Sequence, residues 1–131
     1  MSDVVVVGSL NMDLVARAPR LPVPGETLLG RSFSTVPGGK GANPAAAAAR
    51  PGARTAMIGC VGDDVFGQKL REGLEVDHVD VRGVRTVSGQ SSGVAIIVVD
   101  ESGRNGIVVV PGANGQLAPE DIDNKLSLIA G

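Results

Sequence analysis

Apolar residues in this chain come in short, β-branched blocks separated by glycine and proline. Val4–Val7 is an unbroken run of valine closed by Gly8, which predicts a buried parallel strand. Leu10–Ala18 continues in extended style until Pro19, Pro22, Pro24 and Gly25 break it into turns, and Ser32–Val36 predicts a short strand. An Ala-rich segment, Asn43–Arg50, predicts a helix stopped by Pro51-Gly52, and Ala56–Val61 a second buried strand. Gly62-Asp63-Asp64 caps the next helix, Val65–Leu74, whose Phe66, Leu70 and Leu74 fall on one face. Val79–Val87 contains another strand, Ser88–Gly93 is a loop, and Pro119–Ala130 predicts a final helix. Between these, Val94–Val99 and Ile107–Val110 flank the turn Asp100–Gly106 as a hairpin.

Two patterns are interleaved. Strands alternating with helices are the signature of an α/β fold. The segments 13–18, 32–36 and 94–110 instead read as short antiparallel strands of a second sheet. Both faces of the hairpin are apolar: Ala95, Ile97 and Val99 on one side, Val94, Ile96 and Val98 on the other. A small sheet projecting from a core would wet one of them. A partner subunit is the expected cover.

Composition narrows the classes of function. Of 131 residues, 19 are Gly and 8 Pro, and Phe33 and Phe66 are the only aromatics. The core must therefore be built from Val, Ile, Leu and Ala. Twelve basic residues against fourteen acidic ones, with no basic stripe and no stacking platform, argue against nucleic acid as a partner. The apolar runs are too short to span a bilayer. Cys60 is alone, so no internal disulfide forms, and a cytoplasmic location is expected.

Several candidate chemistries fail on context. His78 has no Cys, His or Glu cluster at ligand spacing, so no metal site is expected. Gly89-Gln90-Ser91-Ser92-Gly93 satisfies the nucleophile-elbow pattern, yet a strand follows it and the only histidine lies upstream. Gly38-Gly39-Lys40-Gly41 departs from a phosphate-binding P-loop: Ala42 follows where Ser or Thr belongs, and Ser34 takes the first glycine's place. Two readings remain open for this loop. Lys40 and Asn43, beside the free N–H groups of a helix start, can reach hydroxyl or anionic oxygens, or the loop is a plain Gly-rich turn capped by Asn43. Asn11 and Asp13 occupy alternate positions beyond the first strand and face one side. An amide plus a carboxylate there suits vicinal hydroxyls; alternatively they are ordinary turn residues.

Taken together, Val7-Gly8-Ser9-Leu10-Asn11-Met12-Asp13-Leu14, Pro24-Gly25-Glu26-Thr27, Gly38-Gly39-Lys40-Gly41-Ala42-Asn43, Gly62-Asp63-Asp64 and Pro111-Gly112-Ala113-Asn114 closely resemble the ribokinase-like carbohydrate kinases of the phosphofructokinase-B type. The resemblance covers essentially the whole chain. It implies the N-terminal part of a doubly wound α/β sheet with a small β lid, formed by segments at about 13–36 and 93–110. It further implies transfer of the γ-phosphoryl group of ATP to the terminal hydroxyl of a sugar, D-ribose best matching the motifs. Mg²⁺, and by the same implication a monovalent cation, would assist. Asn11 and Asp13 match positions that hold sugar hydroxyls, and Gly38, Gly39, Lys40 and Asn43 match the loop that grips the sugar. Ala95 and Val109 match lid positions against its apolar side. Lids of this family commonly clasp one another in a homodimer.

Departures accompany the match. Pro44 stands where the family has Gln, which is expected to push Asn43 out of helical geometry, and Pro51 replaces a usual Leu. The family's catalytic run, Asp-Thr-x-Gly-Ala-Gly-Asp, does not occur in these 131 residues. The expectation is therefore a sugar-binding part without catalytic, nucleotide or metal residues of its own, inactive alone. The alternatives are a non-catalytic product that retains a sugar pocket or dimer clasp, and a kinase for another sugar or a nucleoside.

Overall fold

A computed structural model describes residues 2–129; Ala130, expected at the end of the last helix, lies outside the described residues. The chain forms β1 (Val4–Val7), β2 (Asn11–Arg17), β3 (Ser32–Gly38), α1 (Ala42–Ala49), β4 (Thr55–Gly62) and α2 (Val65–Val76). It continues with β5 (Asp80–Val87), β6 (Gly93–Val99), β7 (Asn105–Val110), a 3-10 turn at Gly112–Gln116 and α3 (Pro119–Ile129).

One sheet is parallel throughout, in the order β1-β4-β5. Every residue of the central strand β4 is buried. Its alternation sorts the two faces. Met57 and Val61 join Leu10, Ala45, Ala49, Leu70 and Leu74 in a cluster beneath α1 and α2, whereas Ala56 and Ile58 pack with Leu117 and Ile122 beside α3. Helices on both faces of a parallel sheet make the doubly wound arrangement that the alternation of elements implies. Small side chains allow the close fit of α1, since Ala42, Ala45 and Ala49 form its buried side.

The valine run is a parallel strand, but the expectation that it is buried is not met. β1 is an edge of its sheet, and Val4 and Val7 remain 37% and 43% exposed. Pro44 also behaves differently from expectation. Helix α1 begins at Ala42, so Asn43 is helical and its N–H reaches the Gly39 carbonyl at 3.0 Å. Pro44 thus stands in the first turn, where a missing N–H removes no intrahelical bond. Gly41, not Asn43, takes the N-cap position.

The second sheet runs β3-β2-β6-β7. β3 and β7 are antiparallel to their neighbours, but β2 and β6 are parallel, so the sheet is mixed rather than antiparallel. β3 extends beyond Val36 through Pro37 because it is an edge strand, where a residue lacking an N–H is tolerated. The inner end of this sheet, Met12, Leu14 and Val94, packs onto the core. The outer part leaves Phe33, Ile96, Ile107, Val108 and Val109 exposed on its two faces.

Helix α2 carries two correctable weaknesses. Gly73 sits in its interior with no atom within 4 Å of where a Cβ would stand, and His78 ends it at φ 62°, a left-handed conformation unfavourable for a residue with a Cβ. Gly73→Ala and His78→Gly are each expected to raise stability by about 0.5–1 kcal/mol, read as a higher urea midpoint.

Candidate functional site

The two sheets meet where β1 passes into β2 through Gly8-Ser9-Leu10, and most of the candidate residues gather at this junction. The Ser9 carbonyl accepts hydrogen bonds from the N–H groups of Gly41 and Ala42, at 3.0 and 3.1 Å, and its hydroxyl accepts from the Lys40 N–H at 3.1 Å. These bonds revise the idea of a helix start with free donors. The first N–H groups of α1 are committed to Ser9, which leaves less to attract an anion and suits a neutral ligand.

Pairing in the second sheet then sets the site. Asn11 lies opposite Gly38 on β3 and Gly93 on β6; Asp13 lies opposite Val36 and Ala95, and Ala95 opposite Val109 on β7. Cross-strand partners share a face, so Asn11, Asp13, Ala95 and Val109 form one polar and apolar surface. Gly38 is needed beneath it because a side chain there would meet the Asp13 carboxylate at 2.9 Å. Gly39 turns the chain at φ 113°, with its α-carbon so close to β2 that a Cβ would stand 2.6 Å from the Ser9 carbonyl oxygen.

A cleft of about 290 Å³ opens over this surface, lined by Ser9, Asn11, Lys40, Val109, Pro111 and Asn114. Asp13 lies two residues further along the same face of β2. Burial raises its pKa above the usual carboxylate value, and no hydrogen-bond donor among the described residues offsets that cost. Asn43 is placed elsewhere. It lines a neighbouring cavity of about 250 Å³ with Val36, Pro37, Ala46, Leu70 and Leu74, between β3, α1 and α2.

Sequence reasoning gives Asn114 no role beyond its turn, and Ser9 none beyond its motif. Their signal is tertiary: Asn114 is anchored on the backbone of Leu10, far away in sequence. A second tie joins the core to the second sheet. Asp64 caps α2 by accepting from the Gly67 N–H at 2.8 Å, and also accepts from the Ser92 N–H at 2.8 Å and the Ser92 hydroxyl at 2.6 Å. The wholly buried Ser92 hydroxyl in turn accepts from the Gly62 N–H at 2.9 Å. Burial raises the Asp64 pKa, but these hydrogen bonds outweigh it and hold the carboxyl below its usual range.

Among the described residues no group of three or more His, Cys, Asp or Glu is disposed to hold a metal ion, and no helix is long and apolar enough to cross a membrane. Cys60 is wholly buried and its thiol pKa is raised by burial, consistent with a packing role.

The class to which this doubly wound core with its small mixed sheet belongs is given by comparison with known proteins. Residues 1–130 match the pfkB family carbohydrate kinases, and the chain belongs to that family. Its relatives within it include ribokinases and deoxyribokinases. The chain is 47% identical over 129 residues to ribokinase of Bacillus subtilis, covering 98% of this chain and 44% of that protein. It is 46% identical over 123 residues to ribokinase of Schizosaccharomyces pombe, covering 89% and 39%. The structure of Arabidopsis thaliana ribokinase complexed with ribose and ATP superposes with a TM-score of 0.83 at 34% identity, over 93% of this chain and 41% of that one. The chain thus spans about two-fifths of the length of these relatives.

Proposed function

We propose that residues 1–131 are the sugar-binding part of a ribokinase-type carbohydrate kinase acting in the cytoplasm on D-ribose, with β2, β3, β6 and β7 as its lid. The observation that carries this reading is Asp13: a half-buried carboxylate with no hydrogen-bond donor among the described residues, beside Asn11 and above a backbone kept clear by Gly38. A buried charge without a partner is costly in the free protein and calls for hydroxyl donors from a ligand. Vicinal sugar hydroxyls supply them, while Ala95 and Val109 offer apolar contact to the carbon skeleton. Lys40 lines the cleft and Gly39 turns the chain that carries it, whereas Asn43 faces the neighbouring cavity.

ATP would be the phosphoryl donor, with Mg²⁺ and a monovalent cation as the family implies. The described residues do not fit the metal, and the sequence contains no Asp-Thr-x-Gly-Ala-Gly-Asp run. No phosphoryl-transfer step is therefore assigned to this chain. Its residues bind and orient the sugar, and the isolated chain is expected to give no ribose-dependent ADP formation.

Calorimetric titration with D-ribose tests the reading. Saturable binding is expected, and Asp13→Asn should weaken it at least about tenfold, since hydrogen bonds to a charged group are worth about 1.5–3 kcal/mol. The same substitution should raise the melting temperature of the sugar-free protein near neutral pH. A carboxyl whose folded pKa lies above its unfolded value destabilises the fold increasingly as pH rises from the unfolded pKa through the folded one. A lower melting temperature with unchanged ribose affinity would remove Asp13 from the site.

The exposed Phe33, Ile107, Val108 and Val109 support a second copy of the chain as the lid's partner. Light scattering on the purified protein should give twice the 13.2 kDa chain mass at micromolar concentration; a strict monomer would contradict it.

A further inference from the structure

The backbone of Leu10 dictates the orientation of two amide side chains. Its N–H donates to Oδ1 of Asn114 at 3.0 Å, and its carbonyl accepts from Nδ2 of Asn114 at 3.0 Å. A backbone N–H only donates and a carbonyl only accepts, so the Asn114 amide has a single orientation that satisfies both. The second hydrogen on Nδ2 then goes to Oδ1 of Asn11 at 2.8 Å. Asn11 must meet that donor with its oxygen. Its own NH₂ group is left for the cleft, which Asn11 lines with Ser9, Lys40 and Val109. Space for the stacked amides comes from Gly93, opposite Asn11 on β6: a Cβ there would collide with Asn114 Nδ2 and Asn11 Oδ1.

We propose that Asn114 is a positioning residue that locks Asn11 as a hydrogen-bond donor toward the ligand. This inference rests on the sugar-binding reading and specifies its chemistry. Asn11 donates to the oxygen of one hydroxyl while Asp13 accepts the O–H of its neighbours, so the site reads adjacent hydroxyls with opposite polarity. The lock depends on Asn114 being both donor and acceptor. The substitution Asn114→Asp retains the acceptor for the Leu10 N–H but sets a carboxylate against Asn11 Oδ1. The Asn11 amide then turns, donating to that carboxylate and presenting its oxygen to the cleft.

The test uses the full ¹³C,¹⁵N-labelled chain and scalar couplings across hydrogen bonds. In the wild type, the Asn114 side-chain NH₂ should correlate with the carbonyl carbon of Leu10 and with Cγ of Asn11. In Asn114→Asp, the Asn11 NH₂ should instead correlate with Cγ of residue 114, and affinity for D-ribose should fall at least tenfold. Asn11→Asp keeps an acceptor for Asn114 and removes the donor toward the cleft. It should keep the Asn114 to Leu10 correlation and lose ribose binding to the same extent. A wild-type correlation from the Asn11 NH₂ to Cγ of Asn114 overturns the lock. So does ribose affinity within twofold of wild type in either variant. If Asn114→Asp does not fold, the wild-type couplings decide. If the wild type binds no ribose, the sugar reading fails while the couplings still establish or refute the lock.

Discussion

Gly39→Ala is expected to destabilise the protein by about 3–5 kcal/mol, a large fraction of the stability of a typical domain. Two costs coincide. The residue stands at φ 113°, and its new methyl group would lie 2.6 Å from the Ser9 carbonyl oxygen, 2.9 Å from the Asn11 nitrogen and 3.0 Å from the Leu10 α-carbon. All three neighbours are backbone of the segment joining the sheets, so no side chain can swing aside. Gly103 separates the two costs: it also has positive φ, at 87°, but nothing lies within 4 Å of its would-be Cβ. Gly103→Ala should cost only about 1 kcal/mol, the conformational share alone. Equal urea midpoints for the two variants would show that crowding at position 39 is relieved by movement.

Asp64→Ala is expected to cost about 2–4 kcal/mol, because it removes a helix cap and strands the buried Ser92 hydroxyl and N–H. Asp64→Asn keeps the shape and an acceptor, and should cost less. Its pH dependence is the more specific readout. A carboxyl with a folded pKa below its unfolded value contributes stability that is full above the unfolded value, about 3.9, and is lost as pH falls through the folded one. The gap in melting temperature between wild type and Asp64→Asn should therefore be widest near neutrality and narrow below about pH 4. A gap that stays constant from pH 7 to pH 2 would mean that the charge of Asp64 adds nothing to the tie.

How much of this is legible in the sequence follows from the range of each interaction. The valine run, the β4 block, the face of Phe66, Leu70 and Leu74 and the hairpin around residue 100 are local patterns, and they are readable. The Asp64 cap is readable too, but not its second set of bonds to Ser92, which closes only when β6 returns to the core. Burial of Val4–Val7 is overread from composition, which marks a strand but not whether it lies at the centre or the edge of its sheet. Parallel pairing of β2 with β6 leaves no local trace, and without it the shared row of Asp13, Ala95 and Val109 cannot be drawn. Asn114 is hidden for the same reason, since a Pro-Gly-Ala-Asn turn does not announce that its amide will dock on Leu10.

That pairing of β2 with β6 also orders events in time. As the chain emerges from the ribosome, β2 and β3 are complete by Gly38, yet β6 begins only at Gly93. A two-stranded hairpin is marginal in water, so β2 and β3 must wait with Met12 and Leu14 unsheltered while β4, α2 and β5 are synthesised. Closing so long a loop is entropically costly and slow. The cleft takes one wall from Ser9 and another from Asn114. It comes into being only once β6 and the Gly112–Gln116 turn have been made, and a nascent chain halted before β6 would carry β1, β4 and β5 without the cleft.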